Sequence, residues 1–142
     1  LEPSAGMRRS AADNIAASGL DVELIELPGE EIPLDDNSVD SVLVTYTLCT
    51  IPDAVAALQG MRRVLKPNGH LFFCEHGQAP DAAVLKWQNR MNSGWRLFAG
   101  GCNMNRNVPA LLRDGGFSIE DDNRDYIPGI KALSYNYWGA AR

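Results

Sequence analysis

At 142 residues and 45% hydrophobic side chains, the chain has enough apolar surface for one core and too little for two. Its formal charge of -5 gives a field that repels phosphate, which argues against sequence-independent nucleic-acid binding. No apolar run reaches the roughly 18 residues a membrane span needs and no signal-peptide pattern is present, so a cytoplasmic protein without a membrane partner is expected. Three cysteines, Cys49, Cys74 and Cys102, are odd in number and widely spaced. That is neither a disulfide framework nor a zinc spacing, and two histidines make no metal site on their own, so no metal is expected.

Taken in order, Ser4 is placed to cap a helix from about Met7 to Ser18, with Met7, Ala11 and Ile15 on one face and Gly19 as the stop. Val22 to Leu27 alternates as a strand that Pro28-Gly29 breaks, and Glu30 to Ser38 reads as an acidic loop. Val39 to Thr45 is the most apolar and β-branched run, which predicts a central strand covered on both faces. Pro52-Asp53 opens a helix to Leu65 with Val55, Leu58, Met61 and Leu65 as its buried stripe. Lys66-Pro67-Asn68-Gly69 is a turn in which Gly69 supplies positive φ, and His70 to Cys74 is the next strand. A helical stretch from Trp87 to Phe98, a polar loop from Gly100 to Asn107 and a short helix from Val108 to Asp114 follow. Phe117 to Glu120 and Leu133 to Ala140 form a last antiparallel pair around Pro128-Gly129.

Strand, helix, strand between residues 39 and 76 is one right-handed parallel crossover, and the whole is a single α/β domain, 1–142, with a mostly parallel sheet. In such sheets ligands lie across the carboxyl ends of the strands. The polar residues that fall there are Thr45, Tyr46, Thr47 and Cys49 after one strand and Glu75-His76 after the next. His76 is the candidate general base, because imidazole exchanges protons near neutrality. Cys49 reads either as a nucleophile or as a small buried hydrophobe.

The segment Arg63-Val64-Leu65-Lys66-Pro67-Asn68-Gly69 resembles the corresponding turn of class I S-adenosylmethionine-dependent methyltransferases. The likeness extends from Glu2 to Arg142, to the branch of ubiquinone and menaquinone biosynthesis and, through Leu48-Cys49-Thr50-Ile51-Pro52-Asp53 and Gly100-Gly101-Cys102, to a thiol-methylating subgroup. The resemblance implies a Rossmann-like sheet, S-adenosylmethionine as cofactor and a small-molecule acceptor. It assigns Glu2 and Pro3 to the ribose hydroxyls, Gly29 and Glu30 to the adenine through their backbone, and Thr45 and Tyr46 to the cofactor's reactive end. Cys49, Trp87, Asn103 and Arg106 are implied to face the acceptor. Pro28 stands where the family carries an acidic adenine contact, and Asn103 replaces a histidine.

The family's glycine-rich loop has no counterpart before Glu2, so the first strand and helix of the fold are expected outside this stretch. Without that strand, the runs at Val22 and Val39 leave a gap that an upstream segment or a partner chain, as in a homodimer, is expected to fill. Three functions fit: methyl transfer to a small acceptor such as a thiol; a non-catalytic scaffold or dimerisation module; or a nicotinamide oxidoreductase, for which no Tyr-x-x-x-Lys pair is present.

Overall fold

The computed structural model describes residues 1–142. Its first element, α1 (Ala5–Ser18), begins where the Ser4 hydroxyl accepts the Met7 N–H and ends at Gly19, whose φ of 67° is the left-handed stop. The helix buries none of its residues, and the anticipated apolar face leads with an exposed Met7.

The sheet is built from β1 (Val39–Thr45), β2 (Leu65–His76), β3 (Ile119–Tyr126) and β4 (Tyr135–Ala141), in the order β1-β2-β4-β3. β1 and β2 are parallel, joined by α2 (Ala54–Val64), while β4 runs antiparallel to β2 and to β3. This is the Rossmann-like α/β arrangement, with its C-terminal antiparallel pair. Two helices, α3 (Ala82–Phe98) and α4 (Val108–Asp114), lie between β2 and β3.

The crossover follows from local chemistry. Asp53 accepts the Ala56 N–H at 2.9 Å and starts α2, whose Ala54, Ala57, Leu58, Met61 and Val64 form the buried stripe. The Lys-Pro-Asn-Gly turn is absorbed into β2 as an irregularity, since Val39 pairs with Leu65 and Ser41 with His70. Gly69 is needed there for close approach and not for positive φ, because a Cβ would sit 2.9 Å from the Asp40 carbonyl.

Register assigns the two faces of the sheet. Val44, Leu71, Phe73, Tyr137 and Ala141 share one face with Glu75 and pack beneath Leu58, Met61, Val108 and Leu112 of α2 and α4. Leu43, Phe72 and Trp138 project from the other and are 69%, 46% and 40% exposed. The expectation that the strand at 39–45 is central and doubly covered is therefore corrected. β1 is an edge strand, and no helix lies over its second face.

Residues 22–27 form no strand either. They run extended with one cross-link, the Glu2 N–H to the Ile25 carbonyl at 3.0 Å, because no neighbour offers a ladder. Residues 22–27 do not pair with β1, whose outer edge carries no strand. Other differences are of extent: α3 starts at Ala82, and the last strands are 119–126 and 135–141.

Candidate active site

At the carboxyl ends of β1 and β2 the chain makes a sharp exit. Tyr46 adopts a φ of 49°, an uncommon conformation for a side chain of its size, and turns residues 47–50 back over the sheet. The turn is held from beneath by Glu75, which is fully buried and whose Oε1 accepts the N–H groups of Thr47 at 2.7 Å and Leu48 at 3.1 Å. Burial pushes the Glu75 carboxyl up to about 7, against the lowering effect of those N–H groups and of the Arg106 charge. Its second oxygen is buried and has no partner.

His76 lies next to Glu75 on the opposite face of β2. Its Nε2 is 3.3 Å from the Cys102 thiol, and its Nδ1 is buried without a partner. The Tyr46 ring stacks on it with centroids 6.1 Å apart and is fixed by donating its hydroxyl to Asn136 Oδ1 at 2.8 Å. Burial lowers the His76 pKa, so the ring is neutral near pH 7. Of the two nitrogens, Nε2 faces the Cys102 thiol and Nδ1 is buried with no group against it.

Cys49 completes the group: its thiol, the His76 ring nitrogen and the Cys102 thiol lie within 4.8 Å of one another. Burial pushes the Cys49 thiol up to about 12, with Cys102 and Glu75 adding to the shift. A protonated thiol is a poor nucleophile, so of the two sequence readings the structure favours the buried one. Spacing along the chain gave no sign of this group, and the fold gathers its three ligand-type side chains.

The loops carrying these residues are bolted by polar side chains. Asn103 donates from its backbone N–H and its side-chain amide to the Cys49 carbonyl, at 2.8 and 3.0 Å. Arg106 donates to the carbonyls of Leu48, Ile51, at 2.7 Å, and Pro52. Both were expected to face an acceptor, and both are committed instead to the 48–52 loop. Gln88, fully buried on α3, accepts the Ala79 N–H and donates to the carbonyls of Gly77, Met104 and Ala132. Trp87, its neighbour, points the other way: it is 51% exposed and lines a shallow apolar depression with Ala83, Val84 and Ile130, outside the strand-end group.

The remaining predicted residues lie on the far side of β1. Glu2 accepts the Ser4 N–H with one carboxylate oxygen at 2.8 Å, and Pro3 is exposed with its carbonyl on Arg8. Gly29 lines a groove of about 270 Å³ with Leu1, Ile32, Val42, Val44 and Ile51. A Cβ on Gly29 would meet the Ile51 side chain at 2.8 Å. Glu30 accepts the Asp53 N–H at 3.2 Å, and Thr45 is exposed. The groove lies at the small end of ligand sites, which run from about 300 Å³. Its lining is mostly apolar, and neither Glu2 nor Glu30 is among the residues that line it. Sequence reasoning gave Glu75 no role, although an acid ending the apolar run Leu71-Phe72-Phe73-Cys74 was a signal for one.

A family model described as a methyltransferase domain matches residues 1–73. A thiol S-methyltransferase of Rattus norvegicus, TMT1B, is 39% identical over 86 residues, which is 60% of this chain and 35% of the relative. Its human counterpart is 37% identical over 93 residues, 64% and 38% of the two chains. A demethylmenaquinone methyltransferase of Staphylococcus aureus is 40% identical over 70 residues, 49% and 29%. The matched stretch thus spans little more than a third of the curated thiol relatives. Among solved structures, a methyltransferase from Methanosarcina mazei superimposes with a TM-score of 0.74 at 17% identity, over 99% of this chain and 78% of its own. The cyclase SpnF gives 0.70 at 19%, over 99% and 63%, so these likenesses carry the fold alone.

Proposed function

Because this chain belongs to the methyltransferase domain family of S-adenosylmethionine-dependent enzymes, we propose that it carries the acceptor end of a site that methylates a small molecule, and that the acceptor is a thiol. The observation that carries the reading is the strand-end group, where Tyr46, Cys49, His76 and Cys102 converge at the carboxyl ends of two parallel strands. The thiol relatives' names and the shared Leu-Cys-Thr-Ile-Pro stretch support the acceptor class.

When bound, S-adenosylmethionine supplies an electrophilic methyl group on a sulfonium sulfur. This chain's residues then bind and align. The Glu2 carboxylate accepts the ribose hydroxyls, the backbone groups of Gly29 and Glu30 meet the adenine, and the exit turn at Thr45 and Tyr46 faces the reacting end. In-line displacement needs alignment and exclusion of water more than acid or base help. A thiol loses its proton readily, so the step does not require His76 as a base.

We further read the free edge of β1 as the place of another strand, supplied by more of this chain or by a second copy. The unpaired edge and the apolar groove along it support this. Three free thiols suit a reducing compartment such as the cytoplasm, and no helix is long and apolar enough to cross a membrane. The test is release of S-adenosylhomocysteine from S-adenosylmethionine with a panel of small thiols, phenols and amines. Release with thiols alone is expected; release only with phenols or amines refutes the acceptor class.

A further inference from the structure

We infer that Cys49, His76 and Cys102 form a zinc site of Cys2His type whose fourth position takes the sulfur of an acceptor thiol. The zinc site itself stands on the geometry, whereas its fourth ligand rests on the thiol reading above.

Zinc selects thiolate and imidazole ligands in a tetrahedron, with bonds of about 2.3 Å to sulfur and 2.0–2.1 Å to nitrogen. Those lengths place neighbouring ligand atoms about 3.5 to 3.8 Å apart. Here the three atoms fall within 4.8 Å of one another, and the Cys102–His76 edge is 3.3 Å, so the observed spacing brackets a tetrahedral face. Both cysteines are buried, at 3% and 8% exposure, and the third, Cys74, lies outside the group. No disulfide joins Cys49 and Cys102, which stay as free thiols.

The scaffold around the ligands is already in place. The Cys49 carbonyl is clamped by two donors from Asn103, the residue after Cys102, so the two cysteine loops are tied at the metal's doorstep. Asn103 Oδ1 in turn accepts from Asn92 of α3, and Asn92 also accepts the Met104 N–H. Arg106 pins the 48–52 loop, and Tyr46 stacks on the ligating ring. These contacts hold the loops that carry the ligands, whereas the second ring nitrogen of His76, the atom an outer-shell partner would engage, is buried without one. Three protein ligands with one position left over is the pattern of a reactive zinc centre, whereas a purely structural one closes with four.

In the reaction, a thiol entering the fourth position binds as its thiolate and releases its proton to solvent. A sulfur lone pair forms the new bond to the sulfonium methyl group. The old carbon–sulfur bond breaks, and its electron pair stays on the cofactor sulfur. The product thioether is a weaker, neutral ligand and leaves for water or the next thiol.

Cobalt(II) is the probe, titrated into the reduced, metal-free chain and followed by its sulfur-to-metal charge-transfer and visible d–d bands. One equivalent of tetrahedral cobalt displaced by zinc is expected, and 2-mercaptoethanol is expected to shift the d–d bands. Cys49→Ser, Cys102→Ser and His76→Gln each should weaken binding by more than the roughly 10- to 100-fold that outer-shell changes cost. Cys74→Ser should leave binding unchanged, and circular dichroism of every variant separates ligand loss from unfolding. Absence of the bands with all thiols reduced, or equal binding by folded Cys102→Ser, overturns the site. Spectra indifferent to added thiol overturn its fourth ligand. Calorimetry with S-adenosylhomocysteine is run in parallel: its failure bears on the cofactor reading and leaves the cobalt result standing.

Discussion

Residues 1–38 and residues 39–142 of this chain are held by different physics. All 30 buried residues lie between Val44 and Ala141, and the first 38 positions contribute none. The later region combines an apolar layer beneath α2 and α4 with buried polar bolts, Glu75, Gln88, Asn103 and Asn136. The earlier region is tied by a few polar contacts, chiefly Arg8 with Glu26 and with the carbonyls of Glu2 and Pro3. The acceptor end of the proposed site therefore belongs to the rigid part of the molecule. The cofactor end depends on segments whose local stability is low, and a ligand that binds them is expected to order them.

That contrast is open to measurement by substitution, and the largest effect is expected deep in the second region. Gln88→Leu deletes four hydrogen bonds and strands a buried N–H and three carbonyls, an expected loss of about 4 kcal/mol in urea unfolding. Leu58→Ala, beneath α2, should cost about 3 kcal/mol by cavity formation. Glu75→Ala leaves the Thr47 and Leu48 N–H groups unpaired and should cost about 2 kcal/mol, while Glu75→Gln keeps an accepting oxygen and should cost under about 1 kcal/mol. At the other end of the scale, Ile15→Ala in α1 should change stability by no more than about 0.5 kcal/mol. If Ile15→Ala proves as costly as Leu58→Ala, the two regions are not held differently and the comparison fails. Limited proteolysis sharpens the same point: the first cuts should fall between Gly19 and Ser38, and S-adenosylhomocysteine should slow them.

What was legible in the sequence was local. Ser4 and Asp53 announced their helix starts because a cap is a contact across three residues, and the Lys-Pro-Asn-Gly stretch announced the return into β2. Residues 22–27 carry a strand's alternation and form none, because a strand exists only with a partner and alternation says nothing about whether one is present. The same reason misplaced 39–45 in the sheet. Its apolar composition was read as double coverage, whereas coverage depends on helices that sequence alone does not position. The Cys49–His76–Cys102 group was invisible for a related cause: the turn at Tyr46 and the loop at Gly100-Gly101 bring together residues more than 25 positions apart. Arg106 and Asn103 were expected to face an acceptor, and the fold turns their donors onto backbone carbonyls of the 48–52 loop.

The central claim is that this chain holds S-adenosylmethionine-type ligands between Glu2 and the ends of β1 and β2. Calorimetric titration with S-adenosylhomocysteine tests it most directly. The account predicts saturable binding with a micromolar Kd, weakened about tenfold or more by Glu2→Ala, as expected for loss of a charged hydrogen-bond acceptor. No saturable heat at millimolar ligand, or binding indifferent to Glu2→Ala, would contradict it.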